Sequence, residues 1–213
     1  MGQDVTFEGI LERASEATSD SPLRIVVSAC LLGEPVGWDG SSWPSDLVGA
    51  ICAADSVSAA PFCPENHALG TPREYMQLHD GDGADVLDGR ARVVTTSGRD
   101  ITGDFLRGAQ AMHALAQSSG AVLGILQAVS PSCGSRIVHR GEVEERAYRQ
   151  GAGVTTALLR REGLVVIGPR DEASLQRLAA ALLPGFEVDP AAFDFDRHPW
   201  FVEYFGTGDR SES

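Results

Sequence analysis

Two hydrophobic rhythms alternate along the chain. Short, uninterrupted, β-branched runs have the pattern of strands covered on both faces: LRIVVSA (23–29), VSAAPFC (57–63), AVLGILQ (121–127) and LVVIGP (164–169). Between them, apolar positions recur every three or four residues. FEGILERASEA (7–17), SDLVGAICAAD (45–55), RDITGDFLRGAQAMHALAQSSG (99–120), GVTTALLRREG (153–163) and EASLQRLAAAL (172–182) therefore read as helices. In the longest of them Ile101, Phe105, Ala109, Met112 and Ala116 share one face, and Asp100 stands where a cap is needed. A Gly/Asp-rich loop beginning at Leu78 leads into one more strand, RVVTT (92–96).

Strands that alternate with helices predict an α/β fold: a mainly parallel sheet with right-handed crossovers and helices on both faces, in a single domain. The expected organisation is an N-terminal helical extension over 1–20, the α/β domain over 21–183, and a C-terminal extension over 184–213. That extension is rich in aromatic residues and Pro and is expected to pack on the domain, with its last residues disordered.

Composition narrows the chemistry. The chain has 213 residues, enough for one well-buried core. Its formal charge of −13 opposes nucleic-acid binding, which needs a basic face. All 17 basic residues are Arg, and with no Lys there is no Schiff-base or Walker-type lysine chemistry. No run approaches a membrane span. The acidic opening, MGQDVTFEGILERASE, lacks the pattern of a signal peptide, so a cytoplasmic location is expected. Gly2 and Thr6 fit a myristoylation pattern, but one short enough to arise often by chance.

The four cysteines are then expected as free thiols, available for metal binding or catalysis. Cys52 lies within a predicted helix and reads as core. Cys30, Cys63 and Cys133 instead lie at the carboxyl ends of three predicted strands, in loops with Gly or Pro. Parallel strands would deliver all three to one sheet edge, where open α/β sheets bind ligands. Three soft thiolates suit a [4Fe-4S] cluster with one iron left open, or a Cys₃ zinc site, or they are three small buried hydrophobes. The turn GAGVTT offers a further element, in which Gly153 permits close backbone approach and a helix N-terminus presents free N–H groups.

The motifs VSACLLG, CPE with LGTPRE, GRDIT, SPSCG and GAGVTTALLRREGL, in that order over about residues 24–170, resemble those of the DUF523 family, which includes thiouracil desulfidases. The resemblance implies a Rossmann-like iron–sulfur enzyme. Its reaction would take sulfur from a thiolated pyrimidine without net redox chemistry, turning C=S into C=O. It implies Cys30, Cys63 and Cys133 as ligands of a [4Fe-4S] cluster and Glu65 and Ser130 as catalytic residues. Ser132, Gly153, Thr155 and Arg73 are the candidate substrate contacts, each with a plain structural alternative as turn, cap or ion pair. The chain departs from the family pattern in GWDG, where Gly37 replaces a common basic residue. It departs again in NHALGTPREYM, and in IVHRGEV, where a Tyr-Asp-Gly is common. These departures bear on the substrate.

The expected partner is thus a small thiolated pyrimidine, with nucleic acid disfavoured by charge. The same chemistry on thiolated tRNA, and a non-enzymatic iron–sulfur or zinc sensor, stand as alternatives. Oligomeric state is not readable from the sequence.

Overall fold

A computed structural model of the chain describes residues 6–140 and 147–206. Gly2 and the GEV that ends IVHRGEV lie outside the described residues, as does the tail beyond 206. The expected parallel sheet is present. Strands β1 (Leu23–Ser28), β2 (Val57–Phe62), β5 (Leu123–Ile125) and β8 (Val165–Ile167) form a four-stranded, all-parallel sheet in the order β2-β1-β5-β8. Helices cover both faces, as an α/β fold requires.

Alternation along β1 explains the two layers. Leu23, Ile25 and Val27 point to one face and pack with α1 (Phe7–Glu16), α2 (Asp46–Cys52) and α7 (Glu172–Leu182). Val26 points to the other, where it meets Met112 and Ala116 of α5 (Thr102–Ser119) and Leu159 of α6 (Val154–Arg161). Ile10 and Ala14 of α1 are buried in the first layer, so the N-terminal helix shares the main core. Cys52 ends α2 and packs against this same core.

The strand expected at RVVTT lies outside the parallel sheet. It is β4 (Arg92–Thr95), which pairs antiparallel with β3 (Met76–His79) in a separate two-stranded sheet, with α4 (Gly83–Leu87) between them. Its physical reason is visible in the burial: Val93 and Thr95 are buried while Arg92 is exposed, the one-sided pattern of a strand with a wet face. A second antiparallel pair, β6 (Ile137–Arg140) with β7 (Ala147–Gln150), follows the Cys133 segment. The cap of α5 also differs from expectation. Ile101 occupies the cap position, and Asp100 accepts the Thr102 N–H at 2.9 Å from one residue further back.

The tail folds onto the domain through aromatic residues. Phe195 and Phe201, the latter in α8 (Pro199–Phe205), are buried with Ile137. Asp171, almost fully buried, accepts from Arg136 Nε at 2.6 Å and from the backbone of Gly168 and Phe195. That carboxylate pins the start of α7, the Arg136 segment and the tail together.

Gly108 of α5 deserves its place, because a Cβ there would stand 2.4 Å from the Pro64 carbonyl oxygen. Pro64 opens α3 (Pro64–Leu69), so this contact sets how close α3 approaches α5. G108A is expected to cost about 1–3 kcal/mol of stability through overpacking. G103A, near the start of the same helix and with only Arg107 Nη1 at 3.7 Å, is expected to be neutral or to stabilise by up to ~1 kcal/mol. Urea denaturation of the two variants checks the contrast.

Candidate active site

The sheet order places a reversal between β1 and β5: from β1 the chain moves to β2 on one side, and later returns to β5 on the other. Ligands of open α/β sheets bind beyond the carboxyl ends of strands at such a switch point. All three predicted cysteines are there. Cys30 sits in a 3₁₀ turn, Ala29–Leu32, directly after β1. Cys63 follows β2 and caps α3, its sulfur accepting the Asn66 N–H at 3.4 Å. Cys133 lies in the turn after β5. Together they line one cleft of about 450 Å³, a size ordinary for small-molecule sites.

The turn carrying Cys133 is built by its own serine. Ser130 Oγ accepts the N–H groups of Ser132 and Cys133, both at 3.0 Å, and donates its proton to Glu65 Oε1 at 2.9 Å. Glu65, in the first turn of α3, accepts at its other oxygen from Arg73 Nη2 at 2.9 Å. Arg73 also donates from Nη1 and Nη2 to the carbonyls of Val36 and Gly70 and to Thr71 Oγ1. Both partners of this ion pair are deeply buried, with 6% and 11% of their side-chain surfaces exposed.

Three of the predicted substrate contacts stand elsewhere. Ser132, Gly153 and Thr155 do not line the cleft; they brace the Cys133 turn from behind. Ser132 and Thr155 share a hydroxyl hydrogen bond of 2.8 Å, and both are buried. Gly153 is required because a Cβ would lie 2.3 Å from the Ser132 carbonyl oxygen. The free N–H groups expected at the start of α6 are not free, since Val154 donates to Pro131 O and Thr155 to Ser132 O. The helix start is filled by the protein's own loop. Arg73 does line the cleft, with its guanidinium committed to Glu65 and to backbone carbonyls. Asp39 closes a turn in the GWDG segment, accepting the Ser41 N–H at 3.0 Å.

Two residues of the site were missed in the sequence. Ser28, the last residue of β1, accepts the Gln127 N–H at 3.0 Å and hydrogen bonds the Cys133 sulfur. Only its place two residues before Cys30 hinted at this. His139 of β6 lines the cleft between the rings of Tyr75 and Tyr148. It falls in IVHRGEV, one of the departures from the family pattern.

The thiols feel one another. Burial, with repulsion from Cys63 and Glu65, pushes Cys30 up to about 12. Burial, with Cys63 and Cys30, drives Cys133 well above the ordinary thiol value, against a lowering by Ser28. Burial also raises Cys63, eased by the Asn66 N–H. None of the four cysteines is in a disulfide. Three thiolates beside a carboxylate call for a positively charged partner. Among the described residues, no group of three or more His, Cys, Asp or Glu is arranged to hold a single ion. A tetrahedral zinc would draw thiolates to about 3.8 Å of one another. A cubane binds each thiolate through a different iron and so accepts sulfurs spread more widely. A set of three thiols fits a [4Fe-4S] cluster with three protein ligands and one open iron.

Breaking the Glu65–Arg73 pair should be costly, since it strands a buried carboxylate. R73A is expected to lose about 3–5 kcal/mol of stability, and R73K to recover part of it, in equilibrium denaturation of the metal-free protein.

Comparison with known proteins agrees with this geometry. The family model of 2-thiouracil desulfurase matches residues 25–171. An uncharacterized Bacillus subtilis (strain 168) protein, YbbK, is 37% identical over 148 residues, which cover 69% of this chain and 96% of that protein. The solved structure of the [4Fe-4S]-dependent thiouracil desulfidase TudS superposes with a TM-score of 0.58 at 40% identity, covering 68% of this chain and 89% of that one. The three thiols at the switch point thus lie inside the matched region, and the chain belongs to the 2-thiouracil desulfurase family.

Proposed function

We propose that the chain is a [4Fe-4S]-dependent desulfidase that converts the C=S group of a thiouracil-like pyrimidine to C=O. The observation that carries this reading is the convergence of Cys30, Cys63 and Cys133 with Glu65 in one cleft. Membership of the desulfurase family and the likeness to TudS support it. Cys30, Cys63 and Cys133 would hold the cluster, which when bound supplies a soft Lewis-acidic iron for the substrate's sulfur.

The remaining chemistry falls to the chain. Replacing sulfur by oxygen needs water to add at the ring carbon and lose its protons. Glu65 is the base, because it is the carboxylate beside the ligand Cys63 and its position is fixed from both sides. Each of its oxygens keeps lone pairs beyond the bonds to Ser130 and Arg73. Ser130 stands between Glu65 and the Cys133 turn, with its proton already directed at the carboxylate. Its two lone pairs are taken by the N–H groups of Ser132 and Cys133, so this hydroxyl orients Glu65 and does not itself relay a proton. Arg73 holds Glu65 in place. Trp38, Tyr75 and Phe62 give the cleft apolar, ring-bearing walls suited to a flat heterocycle.

The cleft's size and the chain's charge of −13 favour a free base over thiolated tRNA. Among the described residues no helix is long and apolar enough to cross a membrane. Four cysteines outside any disulfide support a reducing, cytoplasmic setting.

Anaerobic protein is expected to carry four irons and four sulfides per chain when fully loaded, and to release sulfide from 2-thiouracil while forming uracil. C30S, C63S and C133S should each lose the cluster's absorbance. E65Q should keep the cluster and lower kcat by about 10²–10⁴-fold, the range for losing a general base. An E65Q enzyme of near-normal kcat would refute its role, and thiolated tRNA turned over faster than 2-thiouracil would refute the choice of substrate.

A further inference from the structure

We propose that His139 is a specificity-determining residue that hydrogen bonds the pyrimidine's second carbonyl, the one that does not react. The inference rests on the desulfidase reading for the identity of its ligand. The placement argues for it directly.

His139 lies on β6 and lines the same cleft as the three cysteines. Its ring is held edge to face by Tyr75, with centroids 6.1 Å apart, and tilted against Tyr148 at 5.1 Å. Tyr148 is fixed in turn by the tail: Trp200 packs edge-on at 5.3 Å, and the Tyr204 hydroxyl accepts the Tyr148 N–H at 3.0 Å. The imidazole is therefore clamped in orientation by ring contacts. Its nitrogens have no hydrogen-bond partner among the described residues. Pockets of this kind are apolar surfaces with a few placed polar groups that fix the ligand's orientation. The cleft also carries Ser28, Gln127 and Arg170, and its hydrogen-bonded Glu65 set does not include His139. Glu65, Ser130 and Arg73 are bonded to one another beside the thiols, whereas His139 stands apart from them.

That separation shows in its electrostatics. Burial alone lowers the titration of His139, and no charged side chain contributes. The ring is then neutral at physiological pH and presents one donor and one acceptor. Trp38 stands 5.7 Å from Tyr75, and so continues the ring wall beyond His139 towards the mouth of the cleft. A uracil-type ring seated on that wall, with its thiocarbonyl at the cysteines, leaves its other carbonyl without a partner in the Glu65 set. The imidazole N–H supplies one.

The test compares 2-thiouracil with pyrimidine-2-thione, which lacks the second carbonyl, on loaded enzyme. H139F keeps the ring packing and removes both nitrogens. It should raise KM for 2-thiouracil by roughly tenfold, the effect of losing one hydrogen bond, with kcat little changed. For pyrimidine-2-thione its KM should shift less than twofold. H139Q restores a donor and should recover most of the loss. Equal losses on the two compounds, or no recovery in H139Q, would overturn the assignment.

A binding measurement separates this from the reaction itself. Calorimetric titration should show wild type preferring uracil over pyrimidin-2-one by about tenfold, and H139F without that preference. Wild type lacking the preference would sink the role of His139 whatever the turnover. Wild type releasing no sulfide from 2-thiouracil would sink the desulfidase reading, with the titration still deciding His139.

Discussion

One carboxylate ties the site together. Glu65 receives Ser130 on one oxygen and Arg73 on the other, and each of these partners belongs to a different arm. Ser130 shapes the turn of Cys133. Arg73 holds the carbonyl of Val36, in the loop that leaves Cys30. Glu65 itself is two residues from Cys63. Three segments that share no continuous backbone are thereby fixed to a single buried group. An ion pair of this kind is poor evidence of net stability, because desolvation offsets its attraction. Its value is register: the geometry of three sulfurs depends on it. Glu65 cannot drift without moving the segments that carry the three sulfurs.

Around that group the protein spends its polar atoms on itself. The start of α6 donates to Pro131 and Ser132 carbonyls, Thr156 Oγ1 donates to Cys133 O at 2.7 Å, and Ser28 holds the Cys133 sulfur. The glycines 108 and 153 allow backbones to approach where any Cβ would collide. The result is a rigid polar shell behind the thiols and an aromatic wall in front of them. Preorganisation of this sort suits a site that must position both a cluster and a flat ring.

The sequence carried the frame well. LRIVVSA and AVLGILQ are continuous apolar runs because both faces of β1 and β5 are covered, and that doubles as the signature of a parallel sheet. From there the three strand-end cysteines follow by topology. RVVTT is a strand as expected, but a four-residue run shows too little alternation to tell a one-sided antiparallel strand from a buried parallel one. The substrate contacts assigned to Ser132, Gly153 and Thr155 failed for a different reason. A Gly-rich helix start looks the same whether its N–H groups face a ligand or another loop, and the carbonyls that fill it come from residues some twenty positions earlier. His139 was passed over because a lone histidine on a short strand has no pattern; its meaning comes from Tyr75, far away in the chain, and from Tyr148, which faces it across the β6–β7 pair.

The order of the three cysteines along the chain bears on how the protein is made. Cys30 and Cys63 flank the first two parallel strands, which can pair as soon as both have emerged. The third thiol follows Cys63 by seventy residues, and the turn that presents it is braced from residues 153–156. At ordinary rates of synthesis the first two thiols wait roughly 4–14 seconds for the third. During that interval they form an incomplete, solvent-open pair on a growing chain, vulnerable to oxidation. The turn that presents Cys133 is braced only once the start of α6 has left the ribosome, so the three thiols converge only on a nearly finished chain.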